Sequence, residues 1–189
     1  MEQKQQHKPL TATQEKMRQK KMAVIKADLQ SDDETIVLAA LKLVKQHGDP
    51  TVIDYLCLVL NKFEDDAVQK EAKNILFSLN ESENVPALIE AASKAENKDL
   101  SATLLAAIWE SGLDAFHELD NIIQLSLKAD YNELIEIMTI IDNIDFGAET
   151  EPIEQNIKVI QEHLTTNQND DRSALLVSIV RILRERILE

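Results

Sequence analysis

The chain has 189 residues, of which 44% are apolar and only 4% aromatic, with three Gly, four Pro, one Cys and a formal charge of −14. The length supports one fair-sized core, and the apolar share sets the chain apart from disordered sequences. Few Gly and Pro beside abundant Leu, Ile, Ala, Glu and Lys predict an all-α protein with an aliphatic core.

Residues 1–11 are polar and rich in Gln and Lys, which predicts a disordered tail ahead of a single domain over 12–189. No apolar stretch there resembles a secretory signal, and no segment is long enough to span a bilayer. Helix one should begin near Thr13, where Lys16 stands in place of the acidic partner of a capping box. It presents Met17, Lys21, Val24, Ile25 and Leu29 as an incompletely apolar face, suited to a capping helix. A first helical pair follows from Asp32-Asp33-Glu34, with Ile36, Ala40, Leu43 and Val44 inward. Gly48 marks its stop, and Pro50 opens a partner helix carrying Ile53, Leu56, Cys57 and Leu60.

The second pair carries Val68, Ala72, Ile75, Leu76 and Leu79, then Val85, Leu88, Ile89 and Ala92 behind Pro86. The third places Leu100, Leu104, Ala107 and Ile108 before a stop near Gly112, with Leu119, Ile122, Ile123 and Leu127 on its partner. The fourth spans Leu134, Ile137, Ile140, Ile141 and Ile144, a loop over 145–151, then Pro152, Ile153, Ile157, Ile160 and Leu164. A last helix from about Asp171 presents Leu176, Ile179, Val180, Leu183 and Ile187.

Overlaying the first helices aligns Ile36, Val68 and Leu100, then Ala40, Ala72 and Leu104, at a period of about 32 residues. Helical hairpins repeating at this length predict an α-solenoid of four to five antiparallel hairpins with capping first and last helices; a plain helical bundle is the alternative. Asp66-x-Val68-x-x-x-Ala72-x-x-x-Leu76, a turn, and Val85-Pro86-Ala87-Leu88-Ile89-Glu90-Ala91 resemble the HEAT-repeat class in a short-period form. The first unit shares Asp33, Ala39-Ala40, Gly48-Asp49 and Pro50. The arginine common early in HEAT helices is missing, which leaves the subclass open. The resemblance implies a scaffold or adaptor that binds other proteins along a groove.

No glycine-rich phosphate loop and no Gly-x-Ser-x-Gly elbow occurs, so the sequence gives no reason to expect an enzyme. His7, His47, His117 and His163 are scattered, and His117 with Glu118 and Asp120 reads as a polar face rather than a metal set. The pairs Asp32-Asp33, Asp65-Asp66 and Asp170-Asp171 each precede a helix, where capping accounts for them without a cation. Neither a cofactor nor a metal is expected. The lone Cys57 fits a reducing compartment and a small buried hydrophobe, and a cytoplasmic location is expected. Trp109 reads as core packing at a repeat junction.

Residues 1–28 carry Lys4, Lys8, Lys16, Arg18, Lys20, Lys21 and Lys26 against Glu2, Glu15 and Asp28, a net of +4 that leaves −18 on the rest. So acidic a body repels phosphate backbones, which argues against nucleic acid. Helical spacing turns Asp54, Tyr55, Glu90, Glu118, Asn121 and Gln124 away from the apolar faces. These are the candidate partner-binding residues, and their charge suits a basic or helical segment of another protein. Basic first and last helices, the latter with Arg181, Arg184 and Arg186, add homo-oligomerisation as a second expectation. A self-assembling subunit and, behind it, a HEAT-like enzyme or nucleic-acid-processing protein are the alternatives to a binding scaffold.

Overall fold

The computed structural model describes residues 11–47, 49–147, 150–167 and 171–188. All regular structure among them is helical. The elements are α1 (Ala12–Leu29), α2 (Glu34–His47), α3 (Ile53–Lys62), α4 (Asp66–Leu76), α5 (Val85–Lys94), α6 (Lys98–Glu110), α7 (Leu119–Ser126), α8 (Tyr131–Asn143), α9 (Glu151–Thr166) and α10 (Ser173–Leu188). Short 3-10 turns at Pro50–Val52, Ser82–Asn84 and Phe116–Glu118 lead into α3, α5 and α7. No described helix is long and apolar enough to cross a membrane.

Side-chain caps set the helix starts. Asp65 accepts from the backbone N–H groups of Ala67 and Val68 at 2.9 and 3.1 Å, and Asn97 from those of Asp99 and Leu100 at 3.0 and 3.4 Å. Asp33 does the same for Thr35 at 2.8 Å. Each satisfies donors that a first helical turn leaves open, so two of the acidic pairs hold helix ends; Asp170 lies outside the described residues. At α1 the start differs from the sequence expectation. Thr11 is the N-cap and forms a capping box with Gln14, whose amide oxygen accepts from Thr11 N–H at 2.9 Å. A neutral amide fills the third position as well as a carboxylate does, and the box starts two residues before the expected Thr13. The rest of the expected tail, 1–10, lies outside the described residues, as does the expected stop at Gly48.

At the end of α6, Gly112 adopts φ +63°. Its N–H bonds to Trp109 O and that of Leu113 to Ile108 O, both at 3.0 Å, which is the Schellman arrangement that only a residue without a Cβ enters freely.

Consecutive helices in close contact are α1 with α2, α3 with α4, α5 with α6, α7 with α8, and α9 with α10. The hairpins are therefore offset by one helix from the pairs expected from sequence. Link length accounts for the offset at every join but the last, where α9 and α10 pair across the six residues 167–172. The segments 30–33, 63–65, 95–97 and 127–130 are short and fold one helix directly back on the last, whereas 77–84, 111–118 and 144–150 are longer. Across hairpins, α2, α4, α6, α8 and α10 touch in succession, and so do α1, α3, α5, α7 and α9.

One cluster of buried apolar side chains runs from Met22 to Leu183. Leu104, Leu105 and Ile108 have no exposed surface, and each contributes about 2 kcal/mol by leaving water. Two faces differ from expectation. In α1 the buried residues are Met22, Ile25 and Leu29, while Met17 and Val24 are 67% and 58% exposed. In α2 the inward row is Val37, Ala40, Leu41 and Val44, and Ile36 is 43% exposed. Both helices belong to the first described hairpin, which has a described neighbour on one side only, so these apolar positions have nothing among the described residues to pack against. Cys57 is half-buried beside the core.

Candidate functional site

The helices α5 and α7 flank a groove, a cavity of about 560 Å³. Its lining combines apolar Pro86, Ile89, Leu125 and Ala129 with polar Asn121 and Gln124, the acids Glu90, Glu118 and Glu133, and the lysines Lys98 and Lys128. Position on the helix accounts for this grouping. Ile89 and Leu88 face the core, so Glu90 and Ser93 turn outward on α5. On α7, Ile122 and Ile123 are buried, which exposes Asn121 and Gln124. Glu118 sits in the turn before α7, where Asn121 donates to its carboxylate at 2.7 Å and fixes its direction. Four of the six residues selected from sequence thus share one cavity.

Asp54 lies in the adjoining cavity of about 430 Å³ between α3 and α5, with Cys57, Asn61, Ala91 and Lys94. Lys94 connects the two cavities. It forms an ion pair with Glu90 one turn back and is raised above its usual range by that hydrogen bond first, by the Glu90 charge next, and further by Asp54. The same bond, with the Lys94 charge behind it, lowers Glu90, so Glu90 stays ionised in mildly acidic solution. Tyr55 is not with them. It is half-buried toward α1, and the Lys26 ammonium lies 5.4 Å from its ring centre.

Three charged lining residues escaped the sequence reading: Lys98, Lys128 and Glu133. Glu133 is the third residue of a capping box with Asp130, a signal present in the sequence as Asp130-x-x-Glu133. Its side chain is 1% exposed, and both carboxylate oxygens lie 3.1 Å from the Lys98 ammonium. Glu133 Oε2 also accepts from Asp130 N–H at 2.7 Å. This buried carboxylate locks α6 to α8 at one end of the groove.

The groups that resemble reactive or metal-binding sets are committed elsewhere. His117 packs against Phe116 with ring centres 5.6 Å apart, Glu118 bonds to Asn121, and Asp120 accepts from Asn156 at 2.6 Å to tie α7 to α9. Cys57 is pushed up to about 11, by burial first and by the Asp54 charge second, so it remains a thiol near neutral pH rather than the nucleophilic thiolate. Ser93 donates to the Glu90 carbonyl at 2.7 Å. Trp109 is half-buried and donates through Nε1 to Glu136 at 2.6 Å, which joins α6 to α8. Two arginines of the final helix are already paired: Arg181 with Glu185 of the same helix at 3.1 Å, and Arg186 with Asp142 of α8 at 3.3 Å.

Among the described residues, these features define a helical fold with a groove between α5 and α7 lined by apolar and charged side chains. No protein-family model matches the chain, and no curated protein matches its sequence.

Proposed function

We propose that the chain is a short-period helical-repeat solenoid of the HEAT-like kind, acting as a non-catalytic scaffold that holds a basic segment of a partner protein. Support for the solenoid comes from five offset hairpins whose odd and even helices each touch in succession. The observation that carries the function is the gathering of Glu90, Glu118, Asn121 and Gln124 with apolar Ile89 and Leu125 in one groove. A partner helix or strand would lay apolar side chains on Ile89 and Leu125 and set Lys or Arg against Glu90 and Glu118. Because the rigid helices hold the walls in place, binding orders the partner and not the groove.

The test is capture by the tagged chain from native extract, comparing the wild type with Glu90→Lys/Glu118→Lys. A partner should be retained at low salt by the wild type, be at least tenfold depleted on the variant, and be released at about 0.5 M salt, where the Debye length falls to a few ångströms. Because Glu90 keeps its charge in mild acid, capture should persist near pH 5. Equal recovery on wild type and variant at every salt would overturn the groove as the binding surface.

A further inference from the structure

The chain itself carries a segment of the chemistry that this groove selects. In α1, every side chain from Ala12 to Lys21 is exposed except the half-buried Glu15. Met22, Ile25 and Leu29 fasten the second half of the helix to the body, while Arg18 reaches Asp49 only at 3.7 Å. A helical stretch of this length that buries nothing is marginal in water. On the side away from the buried stripe, Met17, Lys20, Lys21 and Val24 recur at three- and four-residue spacing and form one exposed row.

We infer that this row docks in the α5–α7 groove of a second copy of the chain. Met17 and Val24 meet Ile89 and Leu125, and Lys20 and Lys21 meet Glu90 and Glu118. The charges match beyond these pairs, since residues 1–28 carry +4 and the rest of the chain −18. An intramolecular version is excluded by placement: α1 is fixed against α2 and α3, two hairpins away from the groove. The two surfaces are different, so the contact is heterologous and propagates from copy to copy instead of closing as a two-fold dimer. The assignment rests on the groove being a binding site for basic segments, and it names the chain itself as one occupant.

Sedimentation equilibrium at low and high salt tests it with two variants, Lys20→Glu/Lys21→Glu and Glu90→Lys/Glu118→Lys, after circular dichroism shows both to be folded. The wild type should form concentration-dependent species larger than a dimer at low salt and revert to monomer at high salt. Each variant alone should be monomeric, with association weakened at least tenfold. Mixed in equal amounts, they should associate again, because Lys20 and Lys21 of one variant face the intact Glu90 and Glu118 of the other and the two reversed surfaces are also opposite in charge. A monomeric wild type at every concentration, unimpaired association of either variant, or a mixture that stays monomeric would overturn the inference. The Lys20→Glu/Lys21→Glu variant separates the two readings. Its groove is intact, so it still captures a foreign partner if self-docking alone is wrong, whereas failure of the groove itself abolishes both.

Discussion

Lys98 and Glu133 form an ion pair with unequal surroundings, and the inequality decides how each would tolerate replacement. The lysine side chain is 55% exposed, the glutamate 1%. Removing the lysine strands a carboxylate with little water to solvate it, a situation that costs about 3 kcal/mol. Removing the glutamate's charge leaves an ammonium that water reaches. An amide at position 133 also keeps an oxygen for Asp130 N–H, so that loss is about 1 kcal/mol. Lys98→Met should therefore lower the urea midpoint more than Glu133→Gln, although both delete the same pair. Equal midpoints would show that the pair acts as a surface contact whose burial has no energetic weight.

Between elements, the recurring device is a side chain from a following helix that satisfies carbonyls at the end of a preceding one. Gln69 of α4 donates to Leu60 O and Phe63 O at the end of α3, at 2.8 and 2.6 Å. Ser101, at the same place in α6, donates to Ala92 O of α5 at 3.1 Å. Lys62 closes the link after α1 through Gln30 O and Ser31 O, and Arg172 reaches Ala129 O after α7 at 2.6 Å. Ser101 has no exposed surface, and Ser101→Ala removes one of the two donors to Ala92 O, the other being Ala95 N–H at 3.2 Å, in a site closed to water. A loss of about 1 kcal/mol in equilibrium unfolding is expected, with no change in far-ultraviolet dichroism. A neutral result would mean that Ala95 N–H alone satisfies Ala92 O. At this scale the helices themselves were legible, because Val68, Ala72, Ile75 and Leu76 or Leu134, Ile137 and Ile141 repeat at the helical period. Their partners were not. Pro50 and Pro86 mark where helices begin, and a start signal says nothing about which neighbour the helix packs on; the brevity of 63–65 and 95–97 was the informative feature.

For the whole molecule, the groove was partly legible for the same reason that the helices were: outward positions follow once inward ones are known. That placed Glu90, Glu118, Asn121 and Gln124, but not the tilt that turns Tyr55 toward Lys26, nor Glu133, whose burial depends on a helix 35 residues earlier in the chain. Charge acts at this scale too, and it sets two salt responses in opposition. The described pairs Arg18–Asp49, Lys62–Asp32, Arg181–Glu185 and Arg186–Asp142 lie at the surface, where water and salt screen them. Against them stands the mutual repulsion of a body carrying −18. Screening weakens both terms, but repulsion sums over all the charges and the pairs are few and solvated. Thermal unfolding in dilute protein should therefore move up by roughly 3 °C between about 0.01 and 0.5 M NaCl, a shift that corresponds to about 1 kcal/mol for a chain of this size. Over the same range, docking of basic segments in the groove should weaken. A midpoint that falls with salt would mean that the surface pairs outweigh the net charge, and the acidic body would then have to be attributed to partner selection alone.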